Sequence, residues 1–195
     1  MTTIEMVREF QKAFGLDWEP GPRLPSARTR LVRQHLMYEE TSEFIHAALS
    51  GDLIEMLDGL TDMQYILDGT AISCGMLPEV NGVRPSGRST PVVPSPEKLD
   101  HHISILLHNL GYLHLGMGLK GQEKEVQGWL DQCQFQLDTI YDVCGMLGIK
   151  QVAFAEVHRS NMSKLVDGKP TKDGSGRVLK GPDYSRPNLA QFIGA

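Results

Sequence analysis

The sequence predicts an all-α fold, and three observations carry that expectation. Apolar residues recur at helical spacing along most of the 195-residue chain. Helix starts and stops stand at Thr2, Ser50-Gly51, Asp52, Gly75, Ser95-Pro96 and Gly148. No segment reads as a strand.

Thr2 to Phe14 reads as a short helix, with Glu5 three residues after a Thr cap. Residues 18–26, WEPGPRLPS, form a turn-rich linker. A long helix runs from about Ala27 to Leu49 and is stopped by Ser50-Gly51. Asp52 caps the next, about 53–75, which ends at Gly75. Residues 77–96 contain five prolines and read as a long irregular loop, of the kind that is functional or roots an insertion. After Ser95-Pro96, Leu99, Ile103, Leu106, Leu110, Leu113 and Met117 alternate four-and-three spacing, and Val126, Leu130, Cys133, Leu137, Ile140, Cys144 and Leu147 do the same. Two such seams around GLKGQ predict an antiparallel helical hairpin. A last helix is expected over 150–164, followed by a mobile Gly/Pro/Lys-rich loop tail from Val166, detached enough that its removal should leave the fold intact. The expectation is one domain over 1–195, a four-helix-type bundle with 77–137 inserted.

Hydrophobic content of 41% and charged content of 22% are ordinary for a globular protein, and a net charge of −5 is neither that of a polyanion mimic nor of a basic nucleic-acid binder. No nucleic-acid or membrane partner is expected. Cys74, Cys133 and Cys144 form no CxxC, which argues against a disulfide framework or a zinc site. Without a signal pattern or an apolar run of spanning length, the expected compartment is the cytoplasm.

The charge is unevenly placed. From Gln34 to Val83 there are nine acids and no Lys or Arg. At 100° per residue, Glu40 and Glu43 fall inside the arc marked by Val32, Leu36, Phe44 and Ala47, while Asp58 and Asp62 flank Ile66 on the next helix. The SGD turn makes these helices antiparallel neighbours, so both acid sets are expected on the buried side, facing each other. Converging carboxylates escape repulsion by protonation or by binding hard divalent cations, for which oxygen is the preferred ligand. The blander readings are a capping-box role for Glu55 and a solvated surface position for Glu39.

EETSE (39–43) resembles the EExxE motif, and EMLD (55–58) the ExxD motif, of the all-α NTP pyrophosphatases. This is the MazG-like superfamily, which also holds dimeric dUTPases and phosphoribosyl-ATP pyrophosphohydrolase. LDGLTDMQYILDGT (57–70) looks like the second metal-site helix of that superfamily, and FAEVHRSNMSK (154–164) is similar to its final helix. The resemblance covers roughly 1–76 and 138–195. It implies Mg2+, with Mn2+ able to substitute and two or more ions per site, held by Glu40, Glu43, Glu55 and Asp58. Asp58 and Asp62 are one turn apart, and either fits the ExxD aspartate. Glu39 and Asp62 are then supporting ligands or groups that orient the attacking water.

From Lys150 to Arg186 there are eight basic residues against four acids. By resemblance, Arg159, Asn161 and Lys164 bind substrate, with Lys180 and Tyr184 of KGPDY in a closing lid. Arg177 belongs to the same basic tail. The implied reaction turns a nucleoside triphosphate into a monophosphate and pyrophosphate. The short, phage-like style of the resemblance points to the dNTP pool, dGTP slightly ahead of dUTP, and to a homodimer or homotetramer. The competing readings are a phosphoribosyl-ATP pyrophosphohydrolase-like enzyme and a helical interaction module with an acidic patch. A di-iron site using Glu43 and His46 lacks the second ExxH it needs. Of the histidines that suggest zinc, His101, His102, His108 and His114, only His101 and His108 share a face, so they read as surface or packing residues.

Overall fold

The computed structural model describes residues 1–16, 21–77, 83, 85–172 and 178–194. The start of the expected 18–26 linker, most of residues 78–84 of the Pro-rich loop, and Arg177 lie outside the described residues. The described helices are α1 (Thr3–Ala13), α2 (Ala27–Ser50), α3 (Leu53–Ser73), α4 (Pro96–Met117), α5 (Glu123–Val143), α6 (Lys150–Met162) and a final turn, α7 (Ala190–Ile193).

Local chemistry sets the boundaries. Thr2 and Glu5 close a capping box on α1. The Ser26 hydroxyl accepts from Thr29 N at 3.1 Å to start α2. Gly51, at φ +78°, takes the left-handed conformation that ends α2. The Asp52 carboxylate then accepts from the amides of Ile54 and Glu55, both at 3.1 Å, so α3 begins at once and runs antiparallel to α2.

Helix α3 is the centre of the molecule, packed against α1, α2, α5 and α6 and buried almost throughout from Met56 to Ser73. Its short polar residues are satisfied within the helix: Thr61 donates to Leu57 O at 2.7 Å and Thr70 to Ile66 O at 2.8 Å. The α4–α5 hairpin forms as expected, with Leu106, Leu110, Leu130 and Leu137 at 2% exposure or less, and α5 lies along α3. After a 3-10 turn (Leu147–Ile149), Lys150 reaches back to Gln64 and Asp138.

Three expectations need correction. The tail is not all loop: β1 (Leu165–Val166) and β2 (Lys169–Pro170) form a minimal antiparallel hairpin, a turn too short to carry a two-residue hydrophobic period. Nor is it detached, because Leu189 is 2% exposed and joins the core. The buried arc of α2 is also rotated. Val32 is 49% exposed, while Met37, Thr41, Phe44, Ala47 and Ala48 are buried. Leu31 and Val32, near the start of α2, are exposed, so they do not mark the inner face that the sequence suggests.

Candidate active site

Gly59 lets α2 and α3 approach closely: a Cβ there would meet the Cβ of Phe44 at 3.0 Å. Beside this contact, Glu40 and Glu43 on one helix and Glu55, Asp58 and Asp62 on the other line a common seam, because spacings of three and four repeat a helix face. Their depths differ. Glu43 and Glu55 are exposed, contrary to the expectation that all the acids turn inward, while Glu39, Glu40, Asp58 and Asp62 are half-buried. An open groove of about 670 Å³ lies at the rim, lined by Glu43, His46, Asp52 and Glu55 among others.

The carboxylates share one electrostatic field. Burial, then Glu43, Glu39 and Asp58, push Glu40 up to about 7, against the pull of Lys164. Burial, then Glu55 and Glu43, push Asp58 up to about 6, opposed by Lys164 and Lys180. Asp62 is raised well above the usual carboxylate range by burial first and then by Asp58 and Glu40. Among the described residues, no three His, Cys, Asp or Glu are gathered tightly enough to form a ready metal cage. The donor set nevertheless fits a hard divalent cation: the groups are oxygens, and their repulsion is what such a cation relieves.

Opposite the acids stands a short cationic wall. Lys164, half-buried just after α6, donates to Asn161 Oδ1 at 2.6 Å. Burial lowers its pKa, while Asp62, Tyr184 and Glu40 support its charge. Asn161 also bonds the Tyr65 hydroxyl, which lies 3.0 Å from His158 Nδ1. His158 Nε2 lies 3.2 Å from Glu9. With Asn161 Oδ1 taken by Lys164, its amide donates to Tyr65, Tyr65 donates to Nδ1, and Nε2–H donates to Glu9; the network assigns this tautomer. A side-chain relay from α1 therefore holds the end of α6 that carries Asn161. Lys180 Nζ lies over the Tyr184 ring, 4.7 Å from its centroid.

The structure thus brings Asn161, Lys164, Lys180 and Tyr184 toward the acids but turns Arg159 to another task. Arg159 grips Glu156 through two bonds of 2.9 and 2.8 Å and donates to Arg186 O at 2.9 Å, tying the tail to α6. Tyr65 was missed by sequence reasoning. The signal was its place three residues after Asp62 within DMQY, on a helix already read as lining the site. Of the zinc candidates, His108 packs edge-on against Tyr112, with ring centroids 4.8 Å apart.

A family model described as phosphoribosyl-ATP pyrophosphohydrolase matches residues 7–79, which span α1, α2, α3 and the acidic seam. This segment is a MazG-like, all-α NTP pyrophosphatase domain. The MazG-like domain is that of a hydrolase acting on phosphoanhydride bonds. The match does not reach FAEVHRSNMSK, so the roles on α6 rest on resemblance and geometry. No curated protein and no solved structure matches the chain. Among the described residues no helix is long and apolar enough to cross a membrane.

Proposed function

We propose that the protein hydrolyses a nucleoside triphosphate to the monophosphate and pyrophosphate with Mg2+, or Mn2+ in its place, and that it acts on the dNTP pool, dGTP slightly ahead of dUTP. The observation that carries this reading is the single field shared by the α2–α3 carboxylates and, across from them, Lys164 and Lys180. Glu40, Glu43, Glu55 and Asp58 would hold the cations, two or more per site. When bound, a divalent cation neutralises phosphate oxygens and favours ionisation of water.

The chain's own residues supply the rest. Lys164 and Lys180 offer charge to phosphate oxygens on the side away from the carboxylates. Asn161, fixed between Lys164 and Tyr65, is placed to contact sugar or base. Glu39 or Asp62 orients the attacking water and takes its proton. Water oxygen bonds to phosphorus, the bridging P–O bond breaks, and pyrophosphate leaves. Arg159 supports the tail that carries Lys180 and Tyr184.

Phosphoribosyl-ATP is the second substrate to test, because the matched family is described by it. The test is release of pyrophosphate from the eight common NTPs and dNTPs and from phosphoribosyl-ATP, with melting measured with and without millimolar Mg2+. Release from a deoxynucleotide supports the dNTP reading; release from phosphoribosyl-ATP alone replaces it. No release and no Mg2+-dependent melting shift would favour an interaction module.

A further inference from the structure

We infer that the α4–α5 hairpin is a second, degenerate copy of α2–α3, and that the chain is a fused pair of hairpins retaining one catalytic site. This functional consequence rests on the metal–nucleotide reading above; the repeat itself does not.

The two halves agree in local detail. Helices α3 and α5 are each 21 residues long, and their N-caps, Asp52 and Gln122, lie 70 positions apart, as do the left-handed Gly51 and Gly121 before them. Both hairpins are followed by Cys-Gly-Met-Leu, at 74–77 and 144–147, with Gly75 and Gly145 at φ +64° and +68°. Both begin at a Pro-Ser pair whose serine caps the helix, Ser26 for α2 and Ser95 for α4. Even the preceding strands of chain match: Arg23 N bonds Cys74 O at 2.8 Å, and Val92 N bonds Cys144 O at 2.9 Å. A Cβ on Gly75 would strike Gly21 O, and one on Gly145 would strike Thr90 O.

Burial follows the same register. Every buried residue of α5 lies 70 positions after a buried residue of α3. The buried residues of α2 each have a buried counterpart in α4, as Met37 has Leu106 and Phe44 has Leu113. At the contact between the halves, Gln64 Nε2 donates to Gln134 Oε1 at 2.7 Å and Gln134 Nε2 returns the bond to Gln64 Oε1 at 3.0 Å, across a separation of 70 residues. Two equivalent residues that each donate one bond to the other are what an isologous, two-fold contact produces.

The carboxylates are not repeated. Asn109 and Tyr112 occupy the places of Glu40 and Glu43, and Gly128 and Gln132 those of Asp58 and Asp62; Glu125 alone matches Glu55. The second position has therefore lost the oxygen donors a divalent cation needs. One copy kept the chemistry, and the other kept the face that completes the core.

The test is a register-controlled transplant in the full chain. Residues 123–143 are replaced by the sequence of residues 53–73, once in register and once displaced by one position, which turns the buried face by about 100°. The in-register chain should keep its helical circular dichroism and a single cooperative melt, and the displaced chain should lose the melt. Unfolding of both, or equal folding of both, would overturn the repeat. Glu43→Gln in the otherwise unaltered chain tests the single site: pyrophosphate release should fall to background, and retention of about half would overturn it. An unaltered chain that releases no pyrophosphate from any nucleotide would count against the proposed function, and the transplant would still decide the repeat.

Discussion

At the residue scale, Lys164 shows how burial and charge are balanced in the site. Its ammonium is held by Asn161 and supported by Asp62 and Glu40, yet burial lowers its pKa. Lys164→Ala should raise KM through lost charge-assisted hydrogen bonds, each worth roughly 1.5–3 kcal/mol, or about ten- to a hundredfold. Unchanged steady-state kinetics would remove it from the substrate site. Glu43→Gln and Asp58→Asn should each abolish pyrophosphate release. Melting without metal should rise slightly, since repulsion among the remaining carboxylates falls; full activity in both variants would reject the ligand set.

A different carboxylate governs stability rather than chemistry. Asp68 is 1% exposed, and one of its oxygens has no partner. Burial pushes it up to about 6, although bonds from Thr3 and Gln64 and the charge of Lys150 pull it down and Asp138 pushes it up. Because its folded pKa lies above the unfolded value of about 3.9, the native state binds the extra proton. This group's contribution to stability therefore rises as pH falls from about 6 toward 4. Asp68→Asn should flatten that slope in denaturant titrations and stabilise the protein at pH 7–8, on the order of 2 kcal/mol. An unchanged slope would show that Asp68 is ionised throughout.

At the element scale, the tail matters more than its composition suggests. Ser185 N bonds Ser163 Oγ at 2.9 Å, Asn188 N bonds Glu156 at 2.8 Å, and Leu189 enters the core. Truncation after Val166 should therefore destabilise the fold, contrary to a detached lid. Leu189→Ala alone should cost about 2–5 kcal/mol in denaturant unfolding. Lys180→Ala separates the two roles: it should raise KM while leaving the melt unchanged, since Lys180 is exposed and lies over the Tyr184 ring. A drop in melting temperature without a kinetic effect would make Lys180 part of the strap.

At the scale of the whole molecule, the hairpin expected as an insertion covers α3 and closes the core. Deleting residues 80–136 would remove Gln134, the partner of Gln64, and most of the helix that lies along α3. The deleted chain should lose its cooperative melt or recover it only by self-association, which light scattering would detect. A folded, active, unassociated deletion product would show the hairpin to be dispensable.

The sequence alone determined the helices, their caps and the acidic set, because these depend on neighbours within a few positions. Ser26, Gly51, Asp52 and Ser95 act on local amides, and the spacing of Glu40, Glu43, Glu55, Asp58 and Asp62 is a property of one turn of helix. Only the tertiary structure decided depth and partnership. Val32 and Met37 are equally apolar in sequence, but one is half exposed and the other buried, because only packing says which face meets a neighbour. Arg159 was free to reach substrate until Glu156 and the Arg186 carbonyl claimed it. The relation of the two hairpins was fainter still, for few residue identities besides Cys-Gly-Met-Leu recur. Burial constrains size and polarity more than identity, so the shared register shows in which positions are buried and in the paired Gln64 and Gln134, contacts that no local pattern encodes.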